Sequence, residues 1–104
     1  MADLSQFEWK SKLENDTNAV VLDVRTASEI AEGIIPDAEH LDIYSGQDFI
    51  NGLEKLDKNR TYYVYCKSGG RSAQACSIML QLGFKQAFNL VGGITAWNGE
   101  IIVN

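Results

Sequence analysis

Cys66 and the residues that follow it, Lys67, Ser68, Gly69, Gly70, Arg71 and Ser72, form the stretch of this chain best suited to chemistry. A thiol becomes a nucleophile only when it ionises. Converging backbone N–H groups and a nearby cation favour that ionisation. Gly69 and Gly70 let a loop curl tightly enough for several N–H groups to meet at one sulfur, and Arg71 adds a fixed positive charge close by. A free cysteine is more often a small buried hydrophobe, but packing alone requires neither paired glycines nor an arginine. The pattern points to a reactive thiolate in an anion cradle.

The flanking sequence supplies the elements that would hold such a cradle. Residues 61–65 are a β-branched and aromatic run, read as a buried strand, and the segment after Ser72 has a helical pattern through Leu82. Cys66 is therefore expected at the carboxyl end of a strand, facing a helix N-terminus, where α/β sheets place ligand sites and where the helix dipole favours negative charge. In the helix, Gln74, Ser77 and Gln81 form one polar stripe and the apolar residues occupy the rest, so Cys76 reads as a core residue and not a second reactive thiol.

His40 is the only histidine and falls inside a short predicted strand over residues 38–43. With no clustered ligands, neither it nor the two cysteines suggest a metal site, and no cofactor is expected. It also has no evident route to Cys66. Activation of the thiol is therefore assigned to backbone dipoles and to Arg71 or Lys67.

Upstream, Ser5-Gln6-Phe7-Glu8 is a capping-box pattern that starts a helix to about Leu13, with Trp9 as its packing anchor. Residues 15–18 read as a turn, and residues 19–24 as a strand buried on both faces. At its end, Asp23 is expected to accept from neighbouring backbone N–H groups, and Arg25 and Glu29, four apart, to form a structural ion pair. Gly33 ends a short helix and Pro36 forces an extended turn. Ser45-Gly46-Gln47-Asp48 is expected to cap a helix whose core positions are Phe49, Leu53 and Leu56. A last short strand covers residues 87–90. Gly92-Gly93 then opens a final helical turn through Trp97 that walls the Cys66 loop, and residues 101–103 lie back on the domain. Alternating strands and helices imply a mainly parallel α/β sheet.

Three stretches resemble the signatures of the single-domain rhodaneses, thiosulfate-type sulfurtransferases. They are Leu22-Asp23-Val24-Arg25-Thr26 with Glu29 and residues 33–38, the Cys66 to Ser72 loop, and Leu90-Val91-Gly92-Gly93-Ile94-Thr95-Ala96-Trp97. Ile34 and Asp37 stand where the family commonly has His and Gly. The resemblance implies a rhodanese-like, five-stranded sheet with helices on both faces. It implies Cys66 as the catalytic residue and residues 67–72 as the substrate-binding loop, while Asp23, Arg25 and Glu29 are read as structural support from their own spacing and position. It also implies a small anionic, thiosulfate-like sulfur donor and a thiol or protein-cysteine acceptor, with cyanide as an assay acceptor.

Cysteine phosphatases use a similar thiolate loop closed by arginine. The four residues between Cys66 and Arg71 make this cradle one residue shorter than theirs, better fitted to a sulfane sulfur than to phosphate. A phosphatase or arsenate reductase-like enzyme and a non-catalytic binding module are the alternatives. Against the binding module stands the presence of Cys66.

The 104 residues are read as one domain, 1–104, with an ordinary 45% hydrophobic and 22% charged composition. A net charge of −5, from 9 Lys and Arg against 14 Asp and Glu, argues against a nucleic-acid partner. The overall field would not draw an anionic substrate in, so recognition must be local. With no apolar segment of membrane-spanning length, no signal-like N-terminus and no disulfide framework, the expectation is a cytoplasmic protein without a membrane partner.

Overall fold

The structure, a computed structural model, describes residues 3–103. The strands are β1 (Asp3–Leu4), β2 (Ala19–Asp23), β3 (Glu39–His40), β4 (Thr61–Tyr65) and β5 (Gln86–Leu90). They form one sheet in the order β1-β5-β4-β2-β3, with every pairing parallel. The helices are α1 (Gln6–Glu14), α2 (Ala27–Ile30), α3 (Gln47–Glu54), α4 (Gly70–Gln81) and α5 (Gly93–Ala96).

Strand β4 is central and buried along its whole length, as its β-branched and aromatic composition requires. Its side chains alternate between two cores. Tyr62 and Val64 join Leu22, Phe49, Leu53 and Met79 on the face covered by α3 and α4. Tyr63 and Tyr65 join Trp9, Val21, Ile35 and Leu90 on the other face, where α1 and α5 lie. Helices thus cover both faces of the sheet.

The expected capping box at α1 is present: Ser5 and Glu8 each satisfy the other's backbone N–H. Trp9 is fully buried, donates to the Phe88 carbonyl at 3.2 Å and stands edge-on to Tyr63 and Trp97. At the other end of the chain, Ile102 pairs antiparallel with Ile34, so residues 101–103 do lie back on the domain.

Three local expectations need correction, and one strand is additional to them. Strand β3 holds only Glu39 and His40 in place of residues 38–43, because Asp42 caps a 3₁₀ turn over Ile43–Ser45 that ends the extended run. Ser45 does not cap α3. Its hydroxyl donates to the Asp42 carbonyl, and Gly46, with φ of 61° and ψ of −122°, makes the turn into the helix. Helix α4 begins at Gly70, so Arg71 and Ser72 belong to its first turn and do not precede it. Finally, β1 had no counterpart in the sequence pattern. Two residues are too few for periodicity, and the strand exists because β5 offers it a partner.

Among the described residues, no helix is long and apolar enough to cross a membrane.

Candidate active site

Cys66 follows β4 directly and is 1% exposed. Two carbonyls of the loop beyond it are held against the opening of α5. The Cys66 carbonyl accepts from Ile94 N–H at 3.0 Å and the Lys67 carbonyl from Thr95 N–H at 3.1 Å, both in the turn that opens α5. This approach demands glycine at position 93, where a Cβ would stand 2.3 Å from the Lys67 oxygen and φ is +59°. With the carbonyls anchored away, the N–H side of the loop faces the sulfur. Gly69 N–H donates to Cys66 Sγ at 3.1 Å, with Gly69 itself in the left-handed region at φ +110°.

From the first turn of α4, the Ser72 hydroxyl stands 3.3 Å from Cys66 Sγ. Burial pushes the Cys66 thiol up. The Ser72 hydroxyl and the N–H groups of Ser72, Gly69 and Ser68 outweigh it and hold the thiol below its ordinary value. The expected thiolate setting is therefore built mainly from backbone and hydroxyl donors. Cys76, in the same core, has no such donors among the described residues, and burial pushes it up to about 12.

Arg71 stands within electrostatic reach of Cys66, as expected, but its charge is shared with a carboxylate. Its guanidinium makes a two-pronged ion pair with Glu29, at 2.7 and 2.9 Å, and lies 5.4 Å from the ring centre of the exposed Tyr44. The Arg71 hydrogen bond holds Glu29 at about 2, against the opposing effect of burial and with help from the backbone and hydroxyl of Thr26. The expected Arg25–Glu29 pair is accordingly absent. Residue 25 lies before the cap of α2, not on that helix, so the four-residue spacing does not align the two side chains.

Arg25 instead turns back onto Asp23, with Nε and Nη2 at 2.8 to 3.1 Å from its carboxylate, and donates to the Gly33 carbonyl at 2.7 Å. Asp23 also accepts from the Arg25 N–H at 2.9 Å, the backbone role expected of it. This buried pair fixes the loop between β2 and β3. His40 Nε2 lies 2.6 Å from the Arg25 carbonyl, a further brace for the same loop. Lys67 and Ser68 are exposed at the rim.

Two residues unremarked in the sequence reach this site. Asn89 of β5 meets the Ser72 hydroxyl through Oδ1, and its Nδ2 donates to Asp3 Oδ1 at 2.9 Å. The available signal was a polar residue inside an otherwise apolar strand, which must find partners when buried.

Residues 6–100 match the rhodanese-like domain family. The chain belongs to that family. A protein named sulfurtransferase from Allochromatium vinosum is 38% identical over 83% of this rhodanese-like chain and 78% of its own length. The thiosulfate sulfurtransferase GlpE of Pseudomonas putida is 36% identical over 86% of this chain and 79% of its own. The crystal structure of a rhodanese-like domain protein from Staphylococcus aureus superposes with a TM-score of 0.85 at 31% identity, covering 100% of this chain and 99% of the other. These relatives support rhodanese-type sulfur transfer at the level of the family.

Proposed function

We propose that this chain is a cytoplasmic, single-domain sulfurtransferase that carries a sulfane sulfur on Cys66. In the charging step the Cys66 thiolate attacks the outer sulfur of thiosulfate or a related persulfide. The donor's S–S bond breaks and its electron pair leaves with sulfite or a thiol. In the discharging step a thiol, a protein cysteine or cyanide attacks the outer sulfur, and the electron pair of the broken bond returns to Cys66 Sγ. No cofactor takes part.

The observation that carries this reading is the donor set on Cys66 Sγ, with Gly69 N–H at 3.1 Å and the Ser72 hydroxyl at 3.3 Å. Such donors stabilise an anionic sulfur without a histidine base. A persulfide extends the anion by one atom toward the rest of the loop. There, among the described residues, the N–H groups of Lys67, Gly70 and Arg71 meet no backbone acceptor, and these residues with Ser68 would receive the donor. Lys67, exposed at the rim, adds charge for a small anion, while Arg71 acts through Glu29 by fixing the loop's shape. Asp23 and Arg25 support the neighbouring loop.

The test is incubation with thiosulfate and cyanide, followed by assay of thiocyanate, together with intact mass after thiosulfate alone. Thiocyanate release and a gain of one sulfur atom, reversed by cyanide, are expected. Hydrolysis of aryl phosphates should be negligible beside sulfur transfer. Folded, reduced protein that gains no mass and releases no thiocyanate would leave a binding module as the better reading.

A further inference from the structure

Ser72 has one hydroxyl hydrogen and three neighbours able to accept it. Its Oγ is 3.3 Å from Cys66 Sγ, 3.3 Å from the Gly69 carbonyl and closer still to Asn89 Oδ1. A single hydroxyl serves one of them fully at a time. The Asn89 amide is not free to turn over, because Nδ2 donates to Asp3 Oδ1 at 2.9 Å and to the Gly69 carbonyl at 3.2 Å. A flipped amide would set its oxygen against both of these acceptors. Oδ1 therefore faces Ser72 as a committed acceptor and competes with the sulfur. Ser72, Asn89 and Cys66 are at most 3% exposed, so solvent does little to relieve that competition.

We propose that Asn89, oriented by Asp3, is a positioning residue that makes the Ser72 hydroxyl a switchable donor. The hydroxyl turns to Asn89 while Cys66 Sγ is the uncharged inner sulfur of a persulfide, and to Sγ while it is a thiolate. The proposal rests on the sulfur-transfer reading. Negative charge leaves Sγ when the new S–S bond forms and returns to Sγ when that bond breaks, with no proton moved in either step. A hydroxyl committed to Sγ would favour the thiolate throughout, giving a better leaving group and a poorer nucleophile. An acceptor that draws the hydrogen back balances the two half-reactions. The charged groups around the sulfur are Asp3 from β1, which acts through Asn89, Arg71 from α4, tied to Glu29 of α2, and Lys67 at the rim. Cys76 of α4 packs in the same core.

Asn89→Leu removes the competing acceptor at similar size. It should lower the midpoint of iodoacetamide labelling of Cys66 by about one pH unit, the scale of one hydrogen bond to a charged group. Persulfide discharge to a small thiol should become faster and charging by thiosulfate slower. In a Ser72→Ala background, Asn89→Leu should move none of the three. If Asn89→Leu does not fold by circular dichroism, Asp3→Ala, which removes from an exposed edge strand the acceptor that holds the amide, carries the same paired comparison with a smaller shift, read as the part that needs Ser72. Equal shifts in both Ser72 backgrounds, or no shift in either, overturn the proposal, as does slowing of both half-reactions together. The labelling arm needs no sulfur donor, so failed sulfur transfer with a Ser72-dependent labelling shift would count against the function and not against the switch.

Discussion

Glu29 and Arg71, 42 positions apart, join α2, which follows β2, to the first turn of α4 through two hydrogen bonds of 2.7 and 2.9 Å. The pair ties the first of the three signature stretches to the second. Glu29→Gln keeps a cap for the Thr26 N–H while removing the charge. Because the folded-state value of Glu29 is about 2, below its ordinary 4.5, its contribution is fully present above about pH 4.5 and is lost as pH falls toward 2. Thermal unfolding should place the variant on the order of 1 kcal/mol below wild type at pH 7, for a pair that is about one-fifth exposed. That gap should close in acid. A gap independent of pH would mean that the charge is not what binds the loops.

Cys66→Ser should abolish the mass gain with thiosulfate and the release of thiocyanate while leaving the far-ultraviolet spectrum unchanged. A serine hydroxyl accepts the same donors but does not ionise near neutral pH. Wild-type turnover by this variant would remove Cys66 from the mechanism.

Cys76→Ala should keep most sulfur transfer and lose on the order of 1 kcal/mol of stability, since the side chain is fully buried and its removal leaves a small cavity. With the thiol pushed up to about 12, Cys76 stays protonated across the working range. Collapse of activity at an unchanged melting temperature would instead identify it as a resolving thiol.

Gly93→Ala should be the most damaging single methyl group in the site. It forces a side chain into φ of +59° and into the Lys67 carbonyl, at a cost of about 1–3 kcal/mol. If the protein relaxes by moving the loop, the acid-shifted labelling of Cys66 should return toward that of an ordinary thiol. Labelling and stability like those of the wild type would show that the close approach is not needed.

The elements easiest to read in the sequence were those with a dense local signal. The β-branched and aromatic run gave β4 its full extent, and the Ser5/Glu8 pattern gave the start of α1. The cradle was legible because Cys66, Gly69, Gly70 and Ser72 are close in sequence. Interactions that depend on which strand lies beside which were not. Arg25 and Glu29 looked paired by spacing, yet each found a partner set by tertiary position. Ser45 carried a capping residue's identity but lay one residue too early. The link from Asn89 to Asp3 spans 86 positions, and no periodicity encodes it.

The same topology imposes an order on the chain's assembly. β5 sits between β4 and β1, so the first strand to be made has no neighbour until the last one exists. Among the described residues, the carbonyls of Cys66 and Lys67 are anchored only by residues 94 and 95. A nascent chain that ends at Leu90 already contains Cys66 and the helix after it but lacks these anchors, as well as the N–H orientation they impose. Its thiol should react as an ordinary one. The cradle closes late, after contacts of long sequence separation have formed, so reactivity at Cys66 would report that the chain has folded.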